Sequence, residues 1–348
     1  MGKIMTGNYF EDFSVGQELK HATPRTVTEG DAALYQALYG SRFAVTSGAT
    51  FAADLGLERM PLDSMLVFHV VFGKTVPDVS LNAVANLGYA GGVFGAPVYP
   101  GDTLTTTSEV IGLKENSNGK TGVVYVHSVG VNQDGATVLD YNRWVMVNKK
   151  DPSAPTPETV IPTLPTSVAV DALTVPYTIE RYDTQLSGSP YVWDDYAVGE
   201  RIDHVDGMTI EEAEHMMATR LYQNTAKVHF NQHVEGQGRN GRRIVYGGHV
   251  ISLARALSFN GLGNALSIAA INGGTHCNPT FAGHTVYAWS EVLDRLELPG
   301  RSDVGALRVR TVATKDLACA DFPYKGEDGK YLPEVVLDFD YTVLMPRR

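Results

Sequence analysis

Two stretches of the chain are apolar at nearly every helical position. One holds Met65, Leu66, Phe68, Val70 and Val71; the other holds Val250, Ile251, Leu253, Ala254 and Leu257. Apolar side chains all round a short segment mark a helix with no solvent face, so each half should contain one buried helix. Much of the remainder alternates with period two. Residues 121–129, 138–147 and 306–314 read this way, which predicts strands, and the turn residues between such runs predict an antiparallel sheet. A buried helix with a curved antiparallel sheet is an α+β unit.

The unit occurs twice. Residues 10–21 and 193–204 share aromatic, acid, acid, aromatic, then Val15-Gly16 against Val198-Gly199, then His21 against His204. Residues 26–29 match 209–212, and in both a Thr with a Glu three positions on predicts a capping box (Thr26 with Glu29, Thr209 with Glu212) and a following helix. Tyr39 matches Tyr222, residues 97–103 match 279–285, and residues 108–110 match 290–292. Matched blocks in one order indicate duplication and fusion, at a period too long for a solenoid. Between the copies, prolines recur at 152, 155, 157, 162, 165, 176 and 190, predicting an extended connector without continuous helix or central strand. The expected organisation is one unit over 1–150, a Pro-rich linker over 151–190 and a second unit over 191–348. Two such units could pair their sheets into one, protecting an edge of each.

Composition narrows the class. A hydrophobic content of 43% and a charged content of 19% are globular values. No run is apolar enough to span a bilayer, and the first residues lack a signal-peptide stretch. Two cysteines, Cys277 and Cys319, make no disulfide framework and exclude a thiolate metal cluster, so the expected compartment is the reducing cytoplasm. A net charge of −11 disfavours nucleic acid as a partner. A local cluster, Arg239, Arg242 and Arg243, leaves room for an anionic small ligand.

The copies differ where chemistry would sit. His229 aligns with Thr46 and Asn224 with Ser41, so the side chain that titrates near neutral pH is present once. Gly247 and Gly248 open the second buried helix, whereas the matching Pro61, Leu62, Asp63 and Ser64 include no glycine. Two glycines at a helix start let a ligand approach amides that carry the positive end of the helix dipole. His21 and His204 recur in both copies and read as structural.

Residues 223–231 followed by Tyr246-Gly247 resemble the motif of the MaoC-like, R-specific enoyl-CoA hydratases. Residues 23–31, 72–89 and 115–126 look like their mesaconyl-CoA hydratase subgroup, also called β-methylmalyl-CoA dehydratases. The resemblance implies a double hot-dog fold with a degenerate N-terminal copy. It also implies a hydro-lyase that reversibly hydrates mesaconyl-C1-CoA to β-methylmalyl-CoA, in the ethylmalonyl-CoA pathway or the 3-hydroxypropionate cycle. No cofactor is implied beyond the coenzyme A of the substrate. Carried over by position, His229 is the catalytic base, the Gly247 amide holds the thioester oxygen, and Gly248 beside it belongs to the substrate-binding residues. Asn224 stands where the family has an acid, and Ala226-Lys227 where it has Asn-Pro. Asp63, His249 and His276 are candidates for a second acid. For the free carboxylate of the acyl group the candidates are Arg42 and Arg25; for the phosphates of coenzyme A they are Arg239, Arg242 and Arg243. The expected assembly is a homodimer. Competing readings are a hydratase of broader acyl range, an acyl-CoA thioesterase, and a catalytically dead acyl-CoA-binding protein.

Overall fold

The computed structural model describes residues 3–238 and 240–348. Among them, eleven strands form one antiparallel sheet. In chain order these are β1 (Glu18–Thr26), β2 (Ala83–Phe94), β3 (Thr103–Glu115), β4 (Thr121–Val131), β5 (Thr137–Asn148) and β6 (Arg201–Asp203). They continue with β7 (Met208–Thr209), β8 (Ser267–His276), β9 (Thr285–Glu297), β10 (Val304–Lys315) and β11 (Val335–Pro346). The spatial order is β1-β3-β4-β5-β2-β8-β11-β10-β9-β6, with β7 also pairing β9. The second five strands of that path repeat the first five in mirrored order, so the duplication seen in sequence is a two-fold relation in space. The seam is the pairing of β2 with β8, where Tyr89 faces Gly274 and Val93 faces Ala270. Each unit thereby covers the other's open edge.

The two uniformly apolar stretches are the central helices, Ser64–Thr75 and Gly247–Leu257, and nearly every residue of both is buried. They are held together at matched positions: His69 Nε2 and the Ser252 hydroxyl are 2.9 Å apart. The two flanking helices, Glu29–Tyr39 and Glu212–Leu221, end on the matched tyrosines, and Tyr39 and Tyr222 share a hydrogen bond of 2.7 Å between their hydroxyls. A Cβ on Gly73 would strike the Tyr222 carbonyl, so glycine is what allows the central helix to pass that chain.

The caps lie two residues later than the sequence pattern suggests. The N-terminal box is Thr28 with Asp31: the Asp31 amide donates to the Thr28 hydroxyl at 3.2 Å and the Thr28 amide to the Asp31 carboxylate at 2.8 Å. In the second copy the Glu211 amide donates to the Glu214 carboxylate. Thr26 and Thr209 instead end strands, and their hydroxyls bond across the ladder to Thr103 and Thr285, each at 2.8 Å. His21 and His204 occupy matched places. Each ring bonds a serine of the neighbouring long strand at 2.8 Å, Ser108 and Ser290 respectively.

Residues 151–190 carry only short helical turns, Val170–Ala172 and Thr184–Ser187. The segment crosses the sheet: Val160 bridges to Leu113, the Val168 amide donates to Asn272, and Arg308 donates to the Thr166 carbonyl. Gly91 makes room for it, since a Cβ there would lie 2.6 Å from Pro165.

Candidate active site

A cavity of about 340 Å³ lies between the two units, walled by residues from both. From the C-terminal unit come the segment around Asn224 and His229, the start of the central helix at Tyr246 and Gly247, and His276 at the end of β8. From the N-terminal unit come Phe72 of its central helix, Asn86 and Tyr89 of β2, and Arg143 of β5.

His229 closes a single turn, Lys227–His229. Its Nδ1 lies 3.0 Å from the Ile244 carbonyl oxygen. A carbonyl only accepts, so Nδ1 carries the proton and Nε2 keeps its lone pair. Burial pulls the ring down to about 4, outweighing the backbone bond that favours the charged form. The ring is therefore neutral at pH 7, and among the described residues Nε2 has no hydrogen-bond partner.

Asn224 is buried, and its Oδ1 accepts from the Ala226 amide at 3.0 Å. That bond turns the amide oxygen toward the backbone and leaves the Nδ2 protons as donors at the cavity wall. An amide cannot exchange protons as the family's acid can, but it can orient a water.

At the helix start, Tyr246 serves as N-cap without any capping side chain. The Gly247 amide is consequently one of the unpaired donors of the first turn. The His276 ring packs against Gly247, and a Cβ there would lie 2.6 Å from both ring nitrogens. His276 is 3.2 Å from the Tyr89 hydroxyl, and burial pulls it to about 4.

The structure brings His229, Asn224, Gly247 and His276 to one cavity. Gly248 is buried behind that wall, where a Cβ would meet Tyr246 and His69, so its smallness serves helix packing. Of the other second-acid candidates, His249 bonds the Tyr39 hydroxyl at 3.0 Å within the core, and Asp63 caps the N-terminal central helix by accepting from the Met65 amide at 2.8 Å. Neither lines this cavity. Nor do the two arginines expected to meet the acyl carboxylate. Arg42 lies over the Phe259 ring at 4.5 Å, and Arg25 donates to Asp31. Arg242 lies over Phe281, Arg243 pairs with Glu212, and Arg239 is outside the described residues. Asn240, in the same loop, does reach the cavity wall.

Arg143 was not singled out by the sequence reasoning, although a signal was there. In the alternating run of β5, Tyr141, Arg143 and Val145 share the buried face. An arginine at a buried phase of a strand is rare enough to mark a site.

Solved structures share this architecture. A Mycobacterium tuberculosis protein with a double hotdog fold superposes with a TM-score of 0.76 at 24% identity, over 98% of this chain and 99% of that one. A MaoC domain dehydratase from Chloroflexus aurantiacus J-10-fl superposes with a TM-score of 0.99 at 72% identity over the whole of both chains. The fold is thus the double hot dog of MaoC-like dehydratases.

Sequence comparison narrows the family. The chain is 72% identical over 348 residues to β-methylmalyl-CoA dehydratase of Chloroflexus aurantiacus, covering 99% of each. It is 57% identical over 349 residues to mesaconyl-CoA hydratase of Cereibacter sphaeroides, covering 99% of this chain and 100% of that one. The mesaconyl-CoA hydratase family profile matches residues 3–161. The chain belongs to the mesaconyl-CoA hydratase family, and it is a hydro-lyase.

Proposed function

We propose that the chain reversibly adds water to mesaconyl-C1-CoA, giving β-methylmalyl-CoA. The observation that carries this reading is the meeting of a neutral imidazole with a free Nε2 and an open helix-start amide in one cavity. Hydration of an enoyl thioester needs those two groups. His229 Nε2 takes a proton from water while the Asn224 amide donates to the same water and holds it. The water oxygen bonds to the β carbon, and the electron pair of the double bond moves toward the thioester carbonyl. The Gly247 amide donates to the oxygen on which that charge develops. His229 then returns its proton to the α carbon. Each atom of water is accounted for, and no electrons enter or leave, so the step calls on no cofactor beyond the coenzyme A of the substrate.

The loop that carries Arg242 and Arg243 borders the cavity through Asn240, which suits a role beside the phosphates of coenzyme A. No helix among the described residues is long and apolar enough to cross a membrane. We assign the reaction to the cytoplasm and expect the chain to form a homodimer.

The test is to incubate the purified protein with mesaconyl-C1-CoA and follow enoyl absorbance and the mass of the product. Conversion to the hydrated thioester is the expected result. Release of free thiol would identify a thioesterase. Equal kcat/KM for crotonyl-CoA would identify a hydratase of broader range. Binding without turnover would leave an acyl-CoA-binding protein.

A further inference from the structure

The matched blocks of the repeat extend to one more pair. Val138, Leu139, Asp140, Tyr141, Asn142 and Arg143 on β5 match residues 336–341 on β11, so Arg143 takes the place of Tyr341. On the central helices the eighth residue after Ser64 is Phe72, and the eighth after Gly247 is Arg255. Each unit therefore buries one arginine in the same region, supplied by the strand in the first copy and by the helix in the second.

The two arginines differ in what answers their charge. Arg255 lines the smaller, matching cavity of about 60 Å³ in company with Asp63, and it donates to the Ala265 carbonyl at 3.0 Å. Asp63 is matched in the larger cavity by Tyr246, which is not ionised. Arg143 is 0% exposed, yet among the described residues no carboxylate pairs with it. One nitrogen, Nη2, donates to the Thr75 hydroxyl at 2.7 Å and to the Ser80 hydroxyl at 3.3 Å. The Phe72 ring lies under the guanidinium at 4.3 Å. Among the described residues Nε and Nη1 find no acceptor, and the side-chain amide of Asn86 on the same cavity wall finds no partner. A fully buried guanidinium with two idle donors is costly unless an anion completes it.

We propose that Arg143 is the specificity residue for this cavity: it binds the free carboxylate of a dicarboxylic acyl thioester, with Asn86 as a second hydrogen-bonding partner. The proposal rests on the hydratase reading for its reaction, but its binding claim stands apart. In mesaconyl-C1-CoA the free carboxylate is carried by the β carbon, the atom that hydroxide must reach. An unpaired carboxylate there repels the incoming oxygen, so a guanidinium that neutralises it both selects the substrate and removes the repulsion. Arginine suits this task better than lysine, whose ammonium loses its proton more readily when buried.

The test uses saturated thioesters that cannot be hydrated, with Kd measured by calorimetry for succinyl-CoA and butyryl-CoA on the full chain. The wild type should prefer succinyl-CoA, and Arg143→Met should lower that preference by about 100-fold. Arg143→Lys should keep part of it. A wild type without the preference, or an Arg143→Met variant that retains it, would overturn the proposal. Because the wild-type measurement alone can overturn it, a variant that fails to fold does not shelter it. A chain that shows the Arg143-dependent preference but does not hydrate mesaconyl-C1-CoA would sink the proposed reaction and leave the carboxylate site standing.

Discussion

His229 Nδ1 donates to the Ile244 carbonyl oxygen at 3.0 Å. The bond fixes the ring's orientation and its tautomer together, leaving Nε2 as the only basic position. His229→Ala should lower kcat by roughly 10²–10⁴-fold, the usual contribution of a positioned general base. Circular dichroism should show the fold intact. The pH profile carries a second mark of the same geometry. With the ring held at about 4 by burial, kcat/KM should stay level well below pH 6.5 and fall only as pH 4 is approached. An acid limb centred near 6.5 would contradict a buried neutral base.

Gly247 is constrained from outside its own helix. An added Cβ would press into the His276 ring, so Gly247→Ala should displace either the ring or the first-turn amide. The expected result is a fall of about 100-fold in kcat, as for loss of one oxyanion donor, with about 1–3 kcal/mol of lost stability from overpacking. Both can be read from one preparation, by steady-state kinetics and denaturant melts. Unchanged kcat would separate the Gly247 amide from the chemistry.

Arg42 offers a contrast. Its guanidinium lies on the Phe259 ring rather than at the cavity, so Arg42→Ala should leave kcat/KM for the dicarboxylic thioester within about twofold. Its cost should be limited to the roughly 0.5–1 kcal/mol of an exposed cation–π contact. A large rise in KM would restore Arg42 as a substrate ligand.

Acid sensitivity follows from the buried imidazoles. Burial pulls His204, His229 and His276 to about 4 and His249 to about 3, against an ordinary 6.5. Between those values the unfolded chain binds protons that the folded chain refuses. Stability contributed by the neutral rings is therefore full above pH 6.5 and is lost as pH falls toward 4. His127, raised by Asp140, works in the opposite sense, but it is a single half-exposed pair. Tm should drop steadily from pH 6.5 to 4 in thermal melts, and a flat Tm over that window would count against neutral burial.

Much of the fold was legible in the sequence because its cause is local. A helix apolar on every side can only be interior, and both such stretches became central helices. The repeat was legible because its marks, the Val-Gly turn and the serine-bound histidines, do the same job twice. The caps moved by two residues because threonine is equally at home ending a strand, and only the partners Thr103 and Thr285 decide between the roles. Bringing His229 and Gly247 into one cavity with Tyr89 and Arg143 was not legible, since the two pairs come from different units far apart in sequence. Arg143 stayed hidden because a charged residue within an alternating run reads as the solvent phase. The phase is set by Tyr141 and Val145 on either side, and counting from them turns the arginine inward. Arg42 lies on the Phe259 ring, because the position of a long side chain along the chain does not determine where it comes to rest.

The wall shared between the two units also bears on how such a site could arise. In a pair of identical separate chains, one substitution is made at both cavities at once, so a gain at one is bound to the same change at the other. Joining the copies in a single chain removes that bond. One arginine can then stay with an internal aspartate while its counterpart lines the larger cavity without one, and the proposed site is expected once per chain. Titration with a tight-binding substrate analogue should saturate at a single equivalent.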